Sequence, residues 1–365
     1  MKELRIKDIC TKGSSTLRQK DVEKLSGKYP VYGASGLIAK MDSYHQEKDY
    51  IAIVKDGSGI GRVMFLPAKS SVIGTMQYIL PKEGYDIFYI GYCLQSLNLS
   101  SYKQGAAIPH IYFRDYGERI VKVTDSISEQ KDIVNRINVQ FSKIDKLKQN
   151  AEAALDEAKA LYIAELSDIM RTINSYKTRK VGDIFKTYSG GTPLKAHTEY
   201  YLNGNIPWLQ SGEVNKKYIT GTEKYITEEG LQNSSAKYYP INTILVAMYG
   251  ATAGQVSILK TEATSNQAIC GILPNSQFLP EFVYYWFLYI QKKLVSLARG
   301  GAQPNISQIK IKSMPIPIVP LSIQCSIIEC LNSIETKIQK IEENYKDITY
   351  NMLLLKQSIL REIFD

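Results

Sequence analysis

Residues that build disulfide or metal scaffolds are scarce in this 365-residue chain. Its five cysteines are scattered without paired short spacings, and none of its three histidines lies near another histidine or a cysteine in the sequence. An odd number of scattered cysteines is not a disulfide framework and fits a reducing cytoplasm. So few histidines argue against a zinc site. We therefore expect neither a disulfide scaffold nor a bound metal.

Long apolar runs are also missing. The opening segment MKELRIKDIC lacks the apolar stretch that defines a signal peptide. The longest apolar run, residues 282–290, is too short to span a bilayer. Hydrophobic residues make up 44% of the chain and charged residues 22%, which is typical of a globular protein. We expect a cytoplasmic protein with no membrane association.

Catalytic signatures are a third absence. The segment Gly57–Gly61 suggests a phosphate-binding loop, but it lacks the Gly-Lys-Ser/Thr of a P-loop and the G-x-G-x-x-G spacing. A tight turn after a strand is the better interpretation. No methyl-transfer motif such as Asn-Pro-Pro-Tyr is present, and histidines are too few for a Ser/His/Asp or Cys/His set. We expect no catalytic residues and no cofactor in this chain.

Two long stretches contain no glycine or proline, and they give the chain its organisation. Neither residue occurs between Gly117 and Gly182, or between Pro320 and Asp365. Both stretches carry apolar residues at three- and four-residue steps, which predicts two unusually long helices. The first stripe contains Ile133, Ile137, Ile144, Leu147, Ala151, Ala154, Leu155, Ala158, Leu161 and Leu166, and the second contains Ile327, Ile328, Leu331, Ile334, Ile338, Ile341, Ile348, Met352, Leu355 and Ile359. The predicted segments are globular domains at 1–125 and 177–320 and long helices at 126–176 and 321–365.

The net charge of +9 is distributed unevenly among these segments. Residues 1–125 carry +5 and residues 177–320 carry +7, whereas the helical segments carry −1 and −2. The two globular segments also hold 22 of the 26 tyrosines. Basic residues interleaved with aromatic ones suit a nucleic-acid surface. For most of the tyrosines, however, half-buried strand positions are the preferred interpretation.

The sequence repeats itself at an offset of 193–195 residues. Gly57–Val63 corresponds to Gly250–Val256, and Gly105–Ile111 corresponds to Gly300–Ile306. The helices also match, as in the correspondence of Gln130 with Gln324. The repeating unit is therefore a globular domain followed by a long helix.

Two equivalent units with apolar stripes have a simple mode of assembly. We predict an α+β fold in which two globular mixed α/β domains are separated by two long antiparallel helices, which form a coiled coil with pseudo-twofold symmetry. The basic domains favour duplex DNA as the ligand. Further apolar residues beside the stripes bury against the globular domains or against other subunits, and the sequence leaves both open: Val134, Phe141, Tyr162, Ile169, Leu353, Leu354 and Phe364.

Ordered motifs in both halves carry a family resemblance. In the second half they are Val181–Ile184, Ser189–Pro193, Ile206–Leu209, Ser211–Glu213, Met248–Gly254, Asn266–Ala268 and Gly301–Ile306, and in the first half Tyr29–Gly36 and Lys55–Ser58. Together with the duplication and the two helices, they resemble the specificity (S, HsdS) subunit of type I restriction–modification systems over the whole chain. The first half has Lys12–Thr16 where the second has its SGGTP segment, so the DNA-facing loops and the half-sites are expected to differ.

The resemblance implies that each globular domain is a target recognition domain. Each would read one half of a bipartite, asymmetric double-stranded DNA target, with the helices fixing the unread spacer. It also implies docking of two methyltransferase (HsdM) subunits, which supply S-adenosylmethionine and adenine methylation. Restriction (HsdR) subunits would add cleavage that depends on ATP and magnesium, and the chain itself would be a non-catalytic subunit.

Candidate DNA-contacting residues are the polar ones in the repeated turns and adjacent loops, because phosphates and base edges require hydrogen-bond donors and acceptors. In the first domain they are Lys12, Ser14, Tyr32, Ser35, Lys55, Ser58, Arg62, Lys103 and Gln104, and in the second Ser189, Thr192, Lys195, Trp208, Gln210, Ser211, Lys216, Tyr249, Thr252, Arg299 and Gln303. For Trp208, a half-buried core position is the alternative.

A second hypothesis belongs to a different class of protein. The chain would then be a coiled-coil scaffold whose basic domains bind an acidic protein or nucleic acid without sequence preference. Enrichment of a bipartite motif from random DNA distinguishes the two.

Overall fold

The computed structural model describes residues 1–105, 109–298 and 305–365. The candidate residues Arg299 and Gln303 lie outside these ranges, as do parts of the repeated segments that begin at Gly105 and Gly300. The chain divides into two compact units. The first comprises Met1–Ala154 with Glu343–Asp365, and the second comprises Leu155–Glu342. Each unit therefore combines one globular domain with part of both long helices.

The globular part of the first unit is built on short strands. They are β1 (Lys2–Arg5), β2 (Cys10–Ser14), β3 (Tyr29–Gly33), β4 (Gly36–Met41), β5 (Tyr50–Val54), β6 (Val63–Leu66), β7 (Ser71–Val72), β8 (Met76–Pro81) and β9 (Ile120–Val123). The helices are α1 (Ile6–Ile9), α2 (Gln19–Val22), α3 (Ile87–Ser96), α4 (Phe113–Tyr116) and the long α5 (Ile127–Thr172), with a 3-10 turn at Leu99–Tyr102. The strands form sheets of order β2-β8-β5-β6 and β4-β3-β7, and β1 pairs with β9.

The second globular part repeats this plan. Its strands are β10 (Thr178–Lys180), β11 (Thr187–Ser189), β12 (Ile206–Leu209), β13 (Tyr218–Ile219), β14 (Tyr225–Ile226), β15 (Ile244–Ala247), β16 (Val256–Leu259), β17 (Thr264–Ser265), β18 (Ile269–Ile272) and β19 (Pro315–Pro317). The helices are α6 (Val181–Ile184), α7 (Glu228–Gln232), α8 (Pro280–Tyr289), α9 (Gln291–Ser296), α10 (Gln308–Ser313) and the long α11 (Leu321–Phe364), with 3-10 turns at Thr198–Tyr200, Ser211–Glu213 and Gly250–Thr252. The sheets have the orders β11-β18-β15-β16-β13 and β14-β12-β17, and β10 pairs with β19. The two domains thus share a topology, to which the second adds the edge strand β13.

Each central strand is apolar along its whole length because both of its faces are buried. Side chains alternate across a strand, and Ile51 and Ile53 of β5 lie in the cluster that contains α3 and the start of α5. Tyr50, Ala52 and Val54 lie in a second cluster with Met76 and Tyr78 of β8. In β15, Ile244 and Val246 face the helices while Leu245 and Ala247 face the opposite cluster. The core of each domain therefore lies on both sides of its larger sheet.

The two long helices run antiparallel, as the sequence predicts. In the second unit, Lys159 Nζ lies 2.9 Å from the Glu342 carboxylate, and Tyr162 Oη donates to Glu335 Oε1 at 2.7 Å. A later residue of α5 therefore contacts an earlier residue of α11, as expected for antiparallel helices. In the first unit, Lys356 Nζ of α11 lies 2.6 Å from Asp145 of α5.

The predicted apolar stripes are only partly buried, and the prediction was wrong for several positions. Ile133, Ile137, Ile327 and Leu331 are buried beneath the globular domains. The small Ala154 of the stripe is exposed. Five large stripe residues are also exposed, namely Leu147, Leu161, Ile341, Ile348 and Leu355. Those five side chains lie outside the buried clusters, so the predicted stripe is wider than the helix face that is covered.

Four of the flanking apolar residues pack against the globular domains, which is the first of the two alternatives. Val134 and Phe364 are buried in the core of the first domain, and Phe141 packs against it. Ile169 packs against the core of the second domain. Leu353 and Leu354 stay exposed.

Candidate nucleic-acid interface

Three loops of the first domain meet where strands of its larger sheet end, and this surface is called the loop edge. After β5 the chain turns through Gly57, Gly59 and Gly61, which all have φ between 80° and 84°. Residues with a side chain rarely adopt this left-handed backbone, so the glycines allow the chain to turn tightly here. Arg62 Nη1 donates to the Ala34 carbonyl at 2.8 Å and thereby joins this loop to the β3–β4 turn. Gly57 N donates to Pro109 O at 3.2 Å, which adds the third loop.

These contacts bring most of the first-domain candidates together. Tyr32 lies near the end of β3, and Ser35 lies in the β3–β4 turn. Lys55, Ser58 and Arg62 lie in or beside the loop of residues 57–61, and Lys103 and Gln104 lie in the third loop. Ser14 pairs with Gln77, which pairs with Ile53 near the end of β5. It therefore lies at the same edge of the sheet. Lys12 lies two residues before Ser14 in β2, away from this edge, and is exposed.

This edge also contains a polar cluster that the sequence motifs did not predict. His110 Nδ1 lies 2.6 Å from Asp56 Oδ1, and Lys55 Nζ lies 3.8 Å from the same carboxylate. Arg114 stacks 4.7 Å above the Tyr112 ring. The signal was available in the sequence, because Asp56 is part of the Lys55–Ser58 motif and His110 is part of a repeated segment.

The second domain builds the same edge from equivalent segments. Met248 N donates to Ala268 O at 2.7 Å, and Ile306 N donates to Met248 O at 2.9 Å. An isolated backbone bridge joins Tyr249 to Asn305, just as one joins Asp56 to His110 in the first domain. The two domains thus share the backbone of the loop edge but carry different side chains on it.

Several second-domain candidates lie on this edge. Ser189 Oγ donates to Gln308 Oε1 at 3.3 Å, and the Thr192 hydroxyl donates to Gln267. Tyr249 is exposed and Thr252 follows it in the 3-10 turn. Lys195 is exposed in the loop after Pro193. Gln267 and Gln308 are polar partners that sequence analysis did not name, although Gln267 is part of a motif.

Trp208 is placed differently from the other candidates. Its side chain is only 4% exposed, and its Nε1 donates to the Gly191 carbonyl at 2.9 Å. The buried, satisfied indole favours the core interpretation over contact with a base, because base stacking requires an accessible ring. Gln210, Ser211 and Lys216 follow Trp208 in the loop of residues 210–224.

The tyrosines of the two domains are divided between core and surface. Tyr50, Tyr78, Tyr89, Tyr116, Tyr239 and Tyr285 are fully buried. Burial raises the pKa of each phenol, and for Tyr89 the pKa is raised to about 12. These phenols are neutral structural groups. Tyr112, Tyr218, Tyr225, Tyr238 and Tyr249 are exposed and therefore accessible to a ligand.

Within the described ranges, no three His, Cys, Asp or Glu side chains are grouped as metal ligands. No helix in those ranges has the length and apolar content needed to cross a membrane. The loop edges instead offer ammonium, guanidinium, amide and hydroxyl groups, which form hydrogen bonds with phosphates and base edges.

A match to a family model over most of the chain identifies its family. A family model described as the type I restriction modification DNA specificity domain matches residues 1–156 and 174–350. The chain belongs to this family. The family model matches both halves of the chain, in agreement with the repeat in its sequence.

Individual relatives agree with the family. The chain is 30% identical over 170 residues to the specificity subunit of the type I restriction enzyme EcoR124I/EcoR124II of Escherichia coli, a match that covers 45% of this chain and 42% of that subunit. The match thus spans less than half of the relative's length.

Solved structures share the fold at low sequence identity. A chain of a type I restriction–modification system, studied for complex assembly and conformational transition, has a TM-score of 0.69 at 12% identity and covers 99% of this chain and 97% of its own. The HsdS subunit of Thermoanaerobacter tengcongensis has a TM-score of 0.50 at 12% identity, covering 99% of this chain and 96% of its own. These likenesses support the two-domain α+β fold with its long helices.

Proposed function

We propose that the chain is the DNA sequence-specificity subunit of a type I restriction–modification complex and reads a bipartite, asymmetric target. One observation carries the proposal. The same loop edge is built twice by the same backbone contacts, yet Asp56 and His110 in one domain are replaced by Tyr249 and Asn305 in the other. A shared scaffold with different polar side chains suits two half-sites of different sequence.

In this proposal the long helices set the unread spacer and also dock two methyltransferase subunits. Exposed apolar side chains on the helices support docking, because large apolar groups at a surface mark interaction sites. They occur at equivalent positions of the repeat, as Leu147 with Ile341 and Leu161 with Leu355. Two equivalent sets fit two copies of one partner.

The chemistry in this proposal belongs to the partners. S-adenosylmethionine is expected on the methyltransferase subunits, and ATP and magnesium on the restriction subunits. The chain would act in the cytoplasm as a non-catalytic subunit, with no cofactor of its own.

A selection from random DNA tests the proposal. The chain and its methyltransferase subunit would be incubated with a pool of randomised duplexes, and bound DNA would be sequenced. We expect a motif with two different half-sites and a fixed gap. Affinity should also fall steeply with salt, because bound lysines and arginines release counterions from phosphates. Recovery of no motif would favour the scaffold hypothesis.

A further inference from the structure

One loop distinguishes the second domain from the first. In the first domain, β3 and β4 are joined by Ala34 and Ser35 alone. The equivalent strands of the second domain, β12 and β14, are joined by residues 210–224. This segment, called the 210–224 loop below, includes β13, which pairs in parallel with β16 at the edge of the larger sheet. The equivalent sheet of the first domain lacks this strand in the described residues.

The 210–224 loop is closed on itself by a carboxylate. Glu213 accepts hydrogen bonds from Gln210 N at 2.8 Å and Thr222 Oγ1 at 3.1 Å. Its second oxygen accepts from Glu223 N at 3.3 Å. These bonds hold together the two ends of the loop. The loop lines an open groove of about 610 Å³ whose surface includes Gln210, Asn215, Lys216, Thr220 and Lys224. The groove is therefore rich in hydrogen-bond donors and acceptors.

Adjacent lysines in the loop have opposite surroundings. Ile258 N donates to Lys217 O at 2.7 Å, so the ladder with β16 begins at Lys217, and side chains alternate along an extended chain. Lys216 is exposed to solvent, beside Ser257 at the start of β16. The Lys217 side chain points instead to the long helix α11 and is only 17% exposed.

Lys217 is the centre of a partly buried polar cluster. Its Nζ lies 2.5 Å from Glu335 Oε2, a carboxylate that is only 19% exposed. It also donates to Asn332 Oδ1 at 2.7 Å and to Tyr285 Oη at 2.6 Å. Tyr162 of α5 donates to the other oxygen of Glu335. The ammonium group thus ties the loop directly to α8 and α11, and Glu335 extends the cluster to Tyr162 of α5.

The first unit has no such anchor among its described residues. Tyr92 donates to Asn138 there, at positions equivalent to Tyr285 and Asn332. Phe141, however, occupies the position equivalent to Glu335, and Lys356 lies 4.8 Å above its ring. The tyrosine–asparagine pair is therefore common to both units, whereas the ion pair of Lys217 with Glu335 belongs to the second unit.

We propose that the 210–224 loop is a specificity element for the second half-site alone, and that Lys217 is the positioning residue that fixes its register. Lys216, on the opposite side, contacts a DNA phosphate, and the polar groove beside it faces base edges. This inference rests on the proposed function.

The test removes the ion pair without leaving a buried unpaired charge. The double variant Lys217→Met with Glu335→Gln would be purified with the methyltransferase subunit and subjected to the selection from random duplexes. Against a single mismatch in the second half-site, discrimination of about 5- to 150-fold per base pair should fall toward unity. The first half-site should keep its full discrimination and acts as the internal control. Lys337→Met, an exposed lysine on α11, is the matched control and should change neither half-site.

The outcomes are separable. If wild-type protein selects no motif, the proposed function fails. If wild type selects both half-sites and the double variant keeps both, the inference is overturned while the function stands. Equal loss at both half-sites, or a large drop in the thermal midpoint, would show a general structural role instead and also overturn it.

Lys216→Ala provides a second, independent measurement. Loss of one phosphate contact should lower the slope of log affinity against log salt by about 0.9 and leave both motifs intact. An unchanged slope would contradict the phosphate contact.

Discussion

One buried glutamine stabilises the junction between each globular domain and the long helix that follows it. Gln130, which is 0% exposed, donates to Thr124 O at 2.8 Å and Gly84 O at 3.0 Å, and accepts from Asp86 N at 2.7 Å. Its equivalent, Gln324, is also 0% exposed and makes the same three kinds of bond. It donates to Val319 O and Gln277 O and accepts from Leu279 N. One amide thus satisfies three backbone groups at each junction.

Replacement of either glutamine by leucine should destabilise its unit. Gln130→Leu and Gln324→Leu each leave three backbone groups without this partner, and we expect a loss of about 3 kcal/mol in the free energy of unfolding. Urea denaturation followed by circular dichroism measures it. Gln149→Leu, at an exposed position of α5, is the control and should change stability by less than about 0.5 kcal/mol. Equal effects of buried and exposed substitutions would contradict the role of the amides.

Buried tyrosines predict a loss of stability at high pH. Burial raises the pKa of Tyr89 to about 12, from about 10 in an unfolded chain. Because the folded state holds the phenolic proton more tightly, this contribution to stability is complete below pH ~10 and is lost as the pH rises toward ~12. The free energy of unfolding should therefore fall over that interval. Tyr89→Phe should show a shallower fall, and superimposable pH profiles would exclude this contribution.

The sequence predicts the long helices well because the signal for a helix is local. The absence of glycine and proline and the three- and four-residue periodicity indicate α5 and α11 without knowledge of any partner. What covers the apolar stripe is a tertiary property, so periodicity could not tell buried Ile137 from exposed Leu161. The 210–224 loop was also beyond prediction, since β13 is two residues long and Lys217 pairs with Glu335 across a large sequence separation.

Exposed apolar residues of the long helices are expected to bind the methyltransferase subunit. Leu161→Glu and Leu355→Glu alter side chains that are 60% and 50% exposed, so the folded chain should lose less than about 0.5 kcal/mol of stability. Binding of the methyltransferase subunit should weaken by roughly tenfold or more, because charge replaces an apolar contact. Isothermal titration calorimetry measures the affinity, with Gln149→Glu as the control. Unchanged binding of both leucine variants would remove these positions from the docking surface.

The proposed spacer function makes the length of the two long helices a determinant of target length. Four residues inserted after Gln149 in α5 and four after Asn351 in α11 would lengthen both helices by ~6 Å. The gap between half-sites selected from random DNA should grow by about one to two base pairs, at ~3.4 Å per base pair. The same insertion in the exposed turn after Asn203 is the control. An unchanged gap in a stably folded variant would contradict a spacer role for the helices.

The first unit is built from two separate segments of the chain, and this affects the order of folding during synthesis. Its core includes Leu360 and Phe364 together with Tyr89, so residues 343–365 complete a unit that begins at Met1. The second unit is one continuous segment, and all of its residues emerge from the exit tunnel before residues 343–365. Because compact units tend to fold as wholes during synthesis, the second unit can close its core while the first still lacks part of its own. Translation thus gives an order of completion opposite to the order of the two domains in the sequence.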